Sequence, residues 1–266
     1  MSAFSCRSAR SVAAVAALAL YWLAACVYAE PGLSAEELAR ERAALLAIMA
    51  DAQAPATDAR DAIRLPTAAT LGPDDAPLVL IEFADYQCGF CRRHLLTVMP
   101  ALLRDYIEPG HLRYVFMEFP AQRTFAPSLA AANAALCAED QGRYWDMREK
   151  IYTHPMNIDT EGFLGHGESL GLELAAFSAC LEEGAHEVVI RQHMALGNSL
   201  GVRGTPTFFL AKDLDDRGEL QLLRRIVGAQ PLDLLQTEID SLAASRPEGS
   251  PCLPEQACAG DRGADP

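Results

Sequence analysis

Positive charge is scarce in this 266-residue chain: 22 Lys and Arg stand against 36 Asp and Glu, a formal net charge of −14 at pH 7. No basic run is present to follow a phosphate backbone, and an acidic surface repels one, so nucleic acid is excluded as a partner. No glycine-rich phosphate loop and no Ser-His-Asp order occurs, which removes the nucleotide-binding and serine-hydrolase classes. The six histidines, His94, His111, His154, His166, His186 and His193, form no spaced cluster and read as ordinary. Tyr144, Trp145 and Met147 read as helical core rather than a cofactor box. No cofactor and no metal are expected. No internal repeat is visible, and the one long apolar run, Val12 to Leu23, is too short and wrongly flanked for a membrane span.

That run has a different reading. Arg7 and Arg10 precede it and Val27-Tyr28-Ala29 follows it, the layout of a secretory signal peptide over residues 1–29. Leu23-Ala24-Ala25-Cys26 equally matches a bacterial lipobox, in which Cys26 is lipidated and becomes the mature N-terminus. Both readings place the protein in the periplasm or cell envelope, soluble or lipid-anchored through Cys26. Outside the cytosol cysteines tend to pair. Of eight cysteines, Cys6 and Cys26 lie in the export segment. Cys88, Cys91, Cys137, Cys180, Cys252 and Cys258 remain.

Residues 30–66 read as an N-terminal helix and a linker. Ser34 with Glu37 forms a capping-box pattern, and Leu38, Leu45, Leu46 and Met49 fall on one side. This helix either packs on the domain or makes a homo-oligomer through residues 34–51. Pro55 to Pro66 is rich in Ala, Asp and Pro and reads as linker. The length allows one domain with an insertion, here residues 67–245 with helical periodicity over about 126–200. Residues 246–266 read as an irregular tail.

The core is expected to begin at Pro77. Leu78 to Ala84 is almost continuously apolar, as for a central strand covered on both faces. Asp85-Tyr86-Gln87 makes a turn, Arg92 to Ile107 a helix, and His111 to Phe119 a second strand, parallel to the first by the right-handed crossover rule. Strands return at Thr207 to Leu210 and Leu222 to Val227, and a helix runs from Pro231 to Leu242.

Cys88-Gly89-Phe90-Cys91 lies at the strand–helix junction. A cysteine at a helix start meets unsatisfied N–H groups and the positive end of the dipole, which stabilise its thiolate. Cys91, one turn further in, can close a disulfide with it. Cys88 is therefore the candidate nucleophile and Cys91 the resolving thiol. Phe90 brings no cation, so the Cys88 thiolate is expected to be less stabilised than with His there. A zinc site requires a second close ligand pair, which neither Cys252 and Cys258 nor any His pair supplies. Glu82 is the only charge in the strand. A buried carboxylate there is suited to exchanging protons with Cys91, unless it reaches solvent at the strand end. Gly204-Thr205-Pro206-Thr207 is the other diagnostic segment. A cis Thr205–Pro206 peptide leaves the Thr205 backbone open to pair with an extended substrate; a trans proline would merely begin an edge strand.

Glu82 to Cys91, with Val202-Arg203-Gly204-Thr205-Pro206-Thr207-Phe208-Phe209, resembles the DsbA-like family of thioredoxin-fold proteins over about Pro77 to Leu242. The resemblance implies an α/β thioredoxin fold with an inserted helical domain. It also implies Cys88 as nucleophile, Cys91 as resolving cysteine, Glu82 beneath them and a cis-proline loop at Thr205-Pro206. Gly89, Phe90, Thr205 and Pro206 are then the substrate-binding positions. Family oxidants often carry Pro-His between the cysteines, whereas Gly89-Phe90 is closer to the isomerase-like branch, so oxidase and isomerase directions both stay open.

Cys137 and Cys180, in two separate helical stretches of the insertion, are expected either to staple packed helices or to stay as free buried thiols. Cys252 and Cys258 are expected to close a small loop in the tail, with a second redox pair as the alternative. The implied partners are cysteine-containing exported proteins and a membrane redox partner. The competing function is a non-catalytic binding module or chaperone on the same fold, which has no need of paired thiols.

Overall fold

The computed structural model describes residues 62–121, 124–214 and 218–244. The export segment, the helix expected at residues 34–51 and the Cys252–Cys258 pair lie outside the described residues. β3 (Leu78–Ala84) is buried along its whole length, as its unbroken apolar run requires. It pairs in parallel with β4 (Leu112–Glu118) and antiparallel with β5 (Thr207–Asp213). β6 (Glu219–Val227) continues the sheet antiparallel to β5.

Two short strands complete the sheet, in the order β1-β6-β5-β3-β4-β2. β1 (Ala62–Arg64) pairs with β6, and β2 (Ala69–Leu71) pairs with β4. The sequence reading placed residues 62–64 in the linker and began the core at Pro77. Three-residue edge strands leave no period-2 pattern of their own; distant partners make them strands.

The helix expected from Arg92 to Ile107 is three segments. α1 (Gly89–Thr97) ends at Val98, α2 is the short turn Met99–Leu102, and Leu103–Ile107 is a π-helical turn. Pro100 explains the break: it has no N–H to return to the preceding turn, and its ring crowds the carbonyl there. The insertion contains α3 (Phe125–Glu139), α4 (Tyr144–Thr153), α5 (Thr160–Ser169), α6 (Leu174–Glu183) and α7 (Glu187–Ser199). α8 (Leu232–Ala244) closes the described chain. None of the described helices is long and apolar enough to cross a membrane.

The alternation of β3 divides the core. Val79, Ile81 and Phe83 face one cluster with Val115, Met117 and Phe209. Leu78, Leu80 and Ala84 face the other, which holds Cys91, Phe208 and the buried side of the helical insertion. Glu82 belongs to this second face by its position in the strand. On the first face α7 approaches closely: a Cβ at Gly197 would lie 2.6 Å from the Phe119 ring and 3.0 Å from that of Phe83. Cys137 of α3 and Cys180 of α6 are joined by a disulfide.

Candidate active site

Cys88 is the N-cap of α1, with extended backbone (φ −81°, ψ 114°), and its carbonyl accepts the first helical bond from the Arg92 N–H. The turn that delivers it is organised by Asp85, to which the sequence assigns a place in the turn and no further role. One Asp85 oxygen accepts from the Gln87 N–H at 2.8 Å and the Ser128 hydroxyl at 2.7 Å. The other accepts from the Ala121 N–H at 2.8 Å, so one buried carboxylate ties the cysteine turn to the start of the insertion.

Cys88 and Cys91 are free thiols, Cys88 half-buried and Cys91 with no exposed surface. Their acidities are driven apart. Cys88 is held down at about 6, chiefly by the hydrogen bond from the Cys91 thiol; burial opposes its charge, and the Thr205 side chain and then the Cys91 and Phe90 N–H groups support it. The Cys88 thiol also lies 3.2 Å from the Thr205 carbonyl. A carbonyl can accept only from the protonated thiol, so it takes no part in stabilising the thiolate. Cys91 is pushed well up, by burial first, then by its bond to Cys88 and the negative charge of Glu82.

The Thr205–Pro206 peptide is cis. A cavity of about 540 Å³ opens beside Cys88, lined among others by Phe119, Met194, Arg203, Gly204 and Thr205. Phe90, between the two cysteines, is 59% exposed, and the Arg93 guanidinium sits 5.1 Å from its ring centre. Gly89, at the first helical position, leaves open space where a side chain would stand.

Glu82 has no exposed surface, which removes the alternative that it reaches solvent at the strand end. In register it lies between Phe116 of β4 and Phe208 of β5. The Tyr114 hydroxyl donates to its Oε2, and Arg148 Nη2 is 3.6 Å from the same oxygen. Arg148 also donates to the Tyr114 hydroxyl at 2.9 Å, and its guanidinium centre lies 4.4 Å from the Phe116 ring. Burial opposes the Arg148 charge, yet Tyr114 and Glu82 hold its pKa above the ordinary value.

Sequence reasoning missed several of these groups. His94, read as ordinary, is completely buried, with Nε2 3.9 Å from Glu82 Oε2. Its place three residues after Cys91 puts it on the same helical face, the one signal that could have singled it out. Glu118 is a third buried carboxylate beside Asp85 and Glu82, accepting from the Tyr144 hydroxyl at 2.6 Å and the Tyr86 hydroxyl at 3.3 Å. Burial raises it to about 8. His193, also read as ordinary, is buried too: Nδ1 accepts from the Glu118 N–H at 3.1 Å and Nε2 meets the Thr67 carbonyl at 2.8 Å.

The structural disulfide has polar neighbours. Cys137, Cys180 and His186 bring three potential metal-ligand atoms within 4.8 Å of one another. With the two sulfurs bonded to each other, neither is a thiolate, and the group is not a metal site in this state.

Residues 64–218 match the family model described as Thioredoxin. Over 175 residues the chain is 31% identical to a Na(+)/H(+) antiporter NhaA 1 of Salinispora arenicola, covering 65% of this chain and 25% of that protein. It is 28% identical over 156 residues to a probable disulfide bond formation protein D of Bacillus anthracis, covering 56% of this chain and 71% of that protein. The chain thus spans about a quarter of the length of the antiporter relative that it matches. Among solved structures, alpha-DsbA1 of Wolbachia pipientis superimposes with a TM-score of 0.58 at 24% identity, covering 68% of this chain and 94% of that one.

Proposed function

The chain belongs to the thioredoxin family, with the DsbA-like build of a helical insertion within the fold, and from that premise we propose that it is an exported thiol–disulfide oxidoreductase acting on cell-envelope proteins. One observation carries the proposal: the two thiols of a single helical turn have opposite acidities, one half-exposed and near 6, the other buried and raised. A static bridge or a binding surface has no use for that difference. The name of the Bacillus relative, a probable disulfide bond formation protein, points the same way.

Cys88, as thiolate, attacks a substrate disulfide, or in the opposite direction receives a substrate thiolate on its sulfur. A mixed disulfide between Cys88 and substrate is common to both directions. Cys91 resolves it by attacking Cys88, or leaves as the thiol when Cys88 is attacked. Thr205 and cis Pro206 offer backbone beside Cys88 for an extended substrate segment, and Gly89 and Phe90 form the opposite rim. Glu82 lies beneath Cys91 as a proton acceptor.

Export through residues 1–29, with cleavage after Ala29 or lipidation at Cys26, belongs to the same proposal. So do oligomerisation through residues 34–51, a bridge between Cys252 and Cys258, and a membrane redox partner that resets the thiols. The test is covalent trapping in the export compartment. Cys91→Ala should accumulate reducible adducts on a non-reducing gel and Cys88→Ala almost none. Equal trapping by both overturns the roles. An absence of adducts, with a parent protein that neither reduces insulin nor exchanges with glutathione, hands the site to a binding module or chaperone. The equilibrium of the 88–91 pair with glutathione decides between oxidase and isomerase directions.

A further inference from the structure

His94 is a buried imidazole that no hydrogen bond among the described residues accounts for. It has no exposed surface, and both ring nitrogens lack a hydrogen-bond partner among the described residues. Its ring centre is 4.7 Å from that of Phe208, a contact that phenylalanine could make equally well without burying two polar atoms. Buried polar groups are nearly always satisfied, so an exception beside a reactive centre calls for a reason. Across from it Glu82 has one oxygen, Oε1, that also lacks a partner, while Oε2 lies 3.9 Å from His94 Nε2.

We infer that His94 is a positioning residue for proton movement at Cys91: the proton that Cys91 loses or regains during exchange is held between Glu82 and His94 instead of crossing to solvent. This rests on the exchange reaction proposed above for Cys88 and Cys91. The groups around the imidazole and its Glu82 partner fit the role. β3 contributes Glu82, β4 Tyr114, α4 Arg148 and Tyr152, and the ring's own helix Cys91; β5 contributes the uncharged Phe208. With Glu82 ionised, Arg148 charged and His94 neutral, the cluster has no net charge. Moving the Cys91 proton onto the Glu82–His94 pair leaves the total unchanged, so no net charge is created in the core at the moment of attack. A proton lost to bulk would instead leave a buried thiolate uncompensated. Burial lowers the His94 pKa and Glu82 opposes that shift, so the ring is neutral at pH 7 and able to accept.

The step balances with oxidised glutathione as the probe. Cys88 thiolate attacks the glutathione disulfide, forming a mixed disulfide and releasing one glutathione thiolate. Cys91 then passes its proton to the Glu82–His94 pair and attacks Cys88 Sγ. The Cys88–Cys91 bond forms, the bond to glutathione breaks, and the electron pair leaves on the second glutathione thiolate, which takes a proton from water. The protein is oxidised and glutathione disulfide is reduced by two electrons; the first glutathione thiolate also equilibrates with solvent protons, and the stored proton is later released to water.

The test measures the two steps separately by quenched-flow mass analysis. His94→Phe should slow the Cys91 step roughly tenfold at pH 7, below the full effect of a direct general base, and flatten its pH profile. The slowing should be confined to that step. His94→Gln should fail to restore it, since an amide cannot accept the proton. On the unmutated protein, the imidazole ¹⁵N shifts should show a protonation midpoint that differs between disulfide and dithiol forms, and Glu82→Gln should remove the difference. Superimposable pH profiles for parent and His94→Phe, equal slowing of both steps, or an imidazole that titrates identically in both forms overturns the inference and leaves the exchange reaction standing. A parent that forms no glutathione adduct overturns the exchange reaction, and this inference with it.

Discussion

The depressed acidity of Cys88 makes the stability of the reduced protein depend on pH in a definite direction. Its pKa falls from 9.0 to about 6 on folding. A group whose folded pKa is lowered contributes stability that is complete above the unfolded value and is lost as pH falls through the folded one. The window is therefore about pH 6 to 9. At pH 7 the unfolded thiol is almost fully protonated and the folded one about nine-tenths ionised, a contribution of about 1.4 kcal/mol. Cys88 is half-exposed to solvent, so screening reduces this to about 1 kcal/mol. The disulfide form has no such group. Stabilising the dithiol form by that amount raises the reduction potential of the pair by roughly 20 mV. The assay is denaturant unfolding of the reduced protein from pH 5 to pH 8, beside Cys88→Ser. The parent should gain stability relative to the variant as pH rises through this range. Alkylation of Cys88, followed by peptide mass so that other thiols do not contribute, should have its midpoint near pH 6. A midpoint close to 9, or parallel stability curves for parent and Cys88→Ser, would refute the reasoning.

Three further outcomes follow from other parts of the molecule. Replacing Cys137 and Cys180 together by Ala should cost about 2–5 kcal/mol in denaturant unfolding, the usual range for removing a native bridge; an unchanged midpoint would mean that the packed helices do not depend on it. Glu118, raised to about 8 by burial, makes folding less favourable as pH rises from about 4.5 towards 8, because the unfolded chain ionises it and the folded one does not. Glu118→Gln should therefore come close to the parent near pH 5 and exceed it near pH 8 by on the order of 4 kcal/mol, and parallel curves would refute that. Gly197→Ala should lower the melting temperature at a cost of about 1–3 kcal/mol, because its Cβ would run into the Phe119 and Phe83 rings. An unaffected Tm would show that α7 can lift away.

The elements that were legible in the sequence are those whose own residues suffice to make them. Leu78 to Ala84 is apolar at every position but one and forms a covered strand wherever it is placed. The helices of the insertion show their period, and Gly184 ends one of them in the left-handed conformation, with φ 60°. The edge strands Ala62–Arg64 and Ala69–Leu71 depend on partners more than 40 residues away and have no local signature. The single helix expected from Arg92 to Ile107 is broken in the structure although its apolar stripe continues past Pro100; the stripe records which side faces the core and is indifferent to whether the backbone is α or π.

The same distinction separates the parts of the site. Cys88, Cys91 and Glu82 announce themselves, the first two by spacing and the third by being a charge in an apolar strand. Arg148, Tyr114, Tyr144 and Tyr152 do not, since each is an unremarkable residue of a helix or strand until the fold brings them together. Yet Glu82 cannot be understood without them. A carboxylate with no exposed surface is costly unless paired, and the pairing cation comes from α4, inside the insertion. α4 also contributes Tyr144 to Glu118 and places the Tyr152 hydroxyl 3.3 Å from the Asp85 carbonyl, in the turn that delivers Cys88. The insertion is thus part of the thiol centre: it neutralises the acid beneath Cys91 and fixes the turn that presents Cys88. A substitution that moved α4 by an ångström would therefore act at both thiols, loosening the Asp85 turn that presents Cys88 and leaving the buried Glu82 carboxylate without its cation.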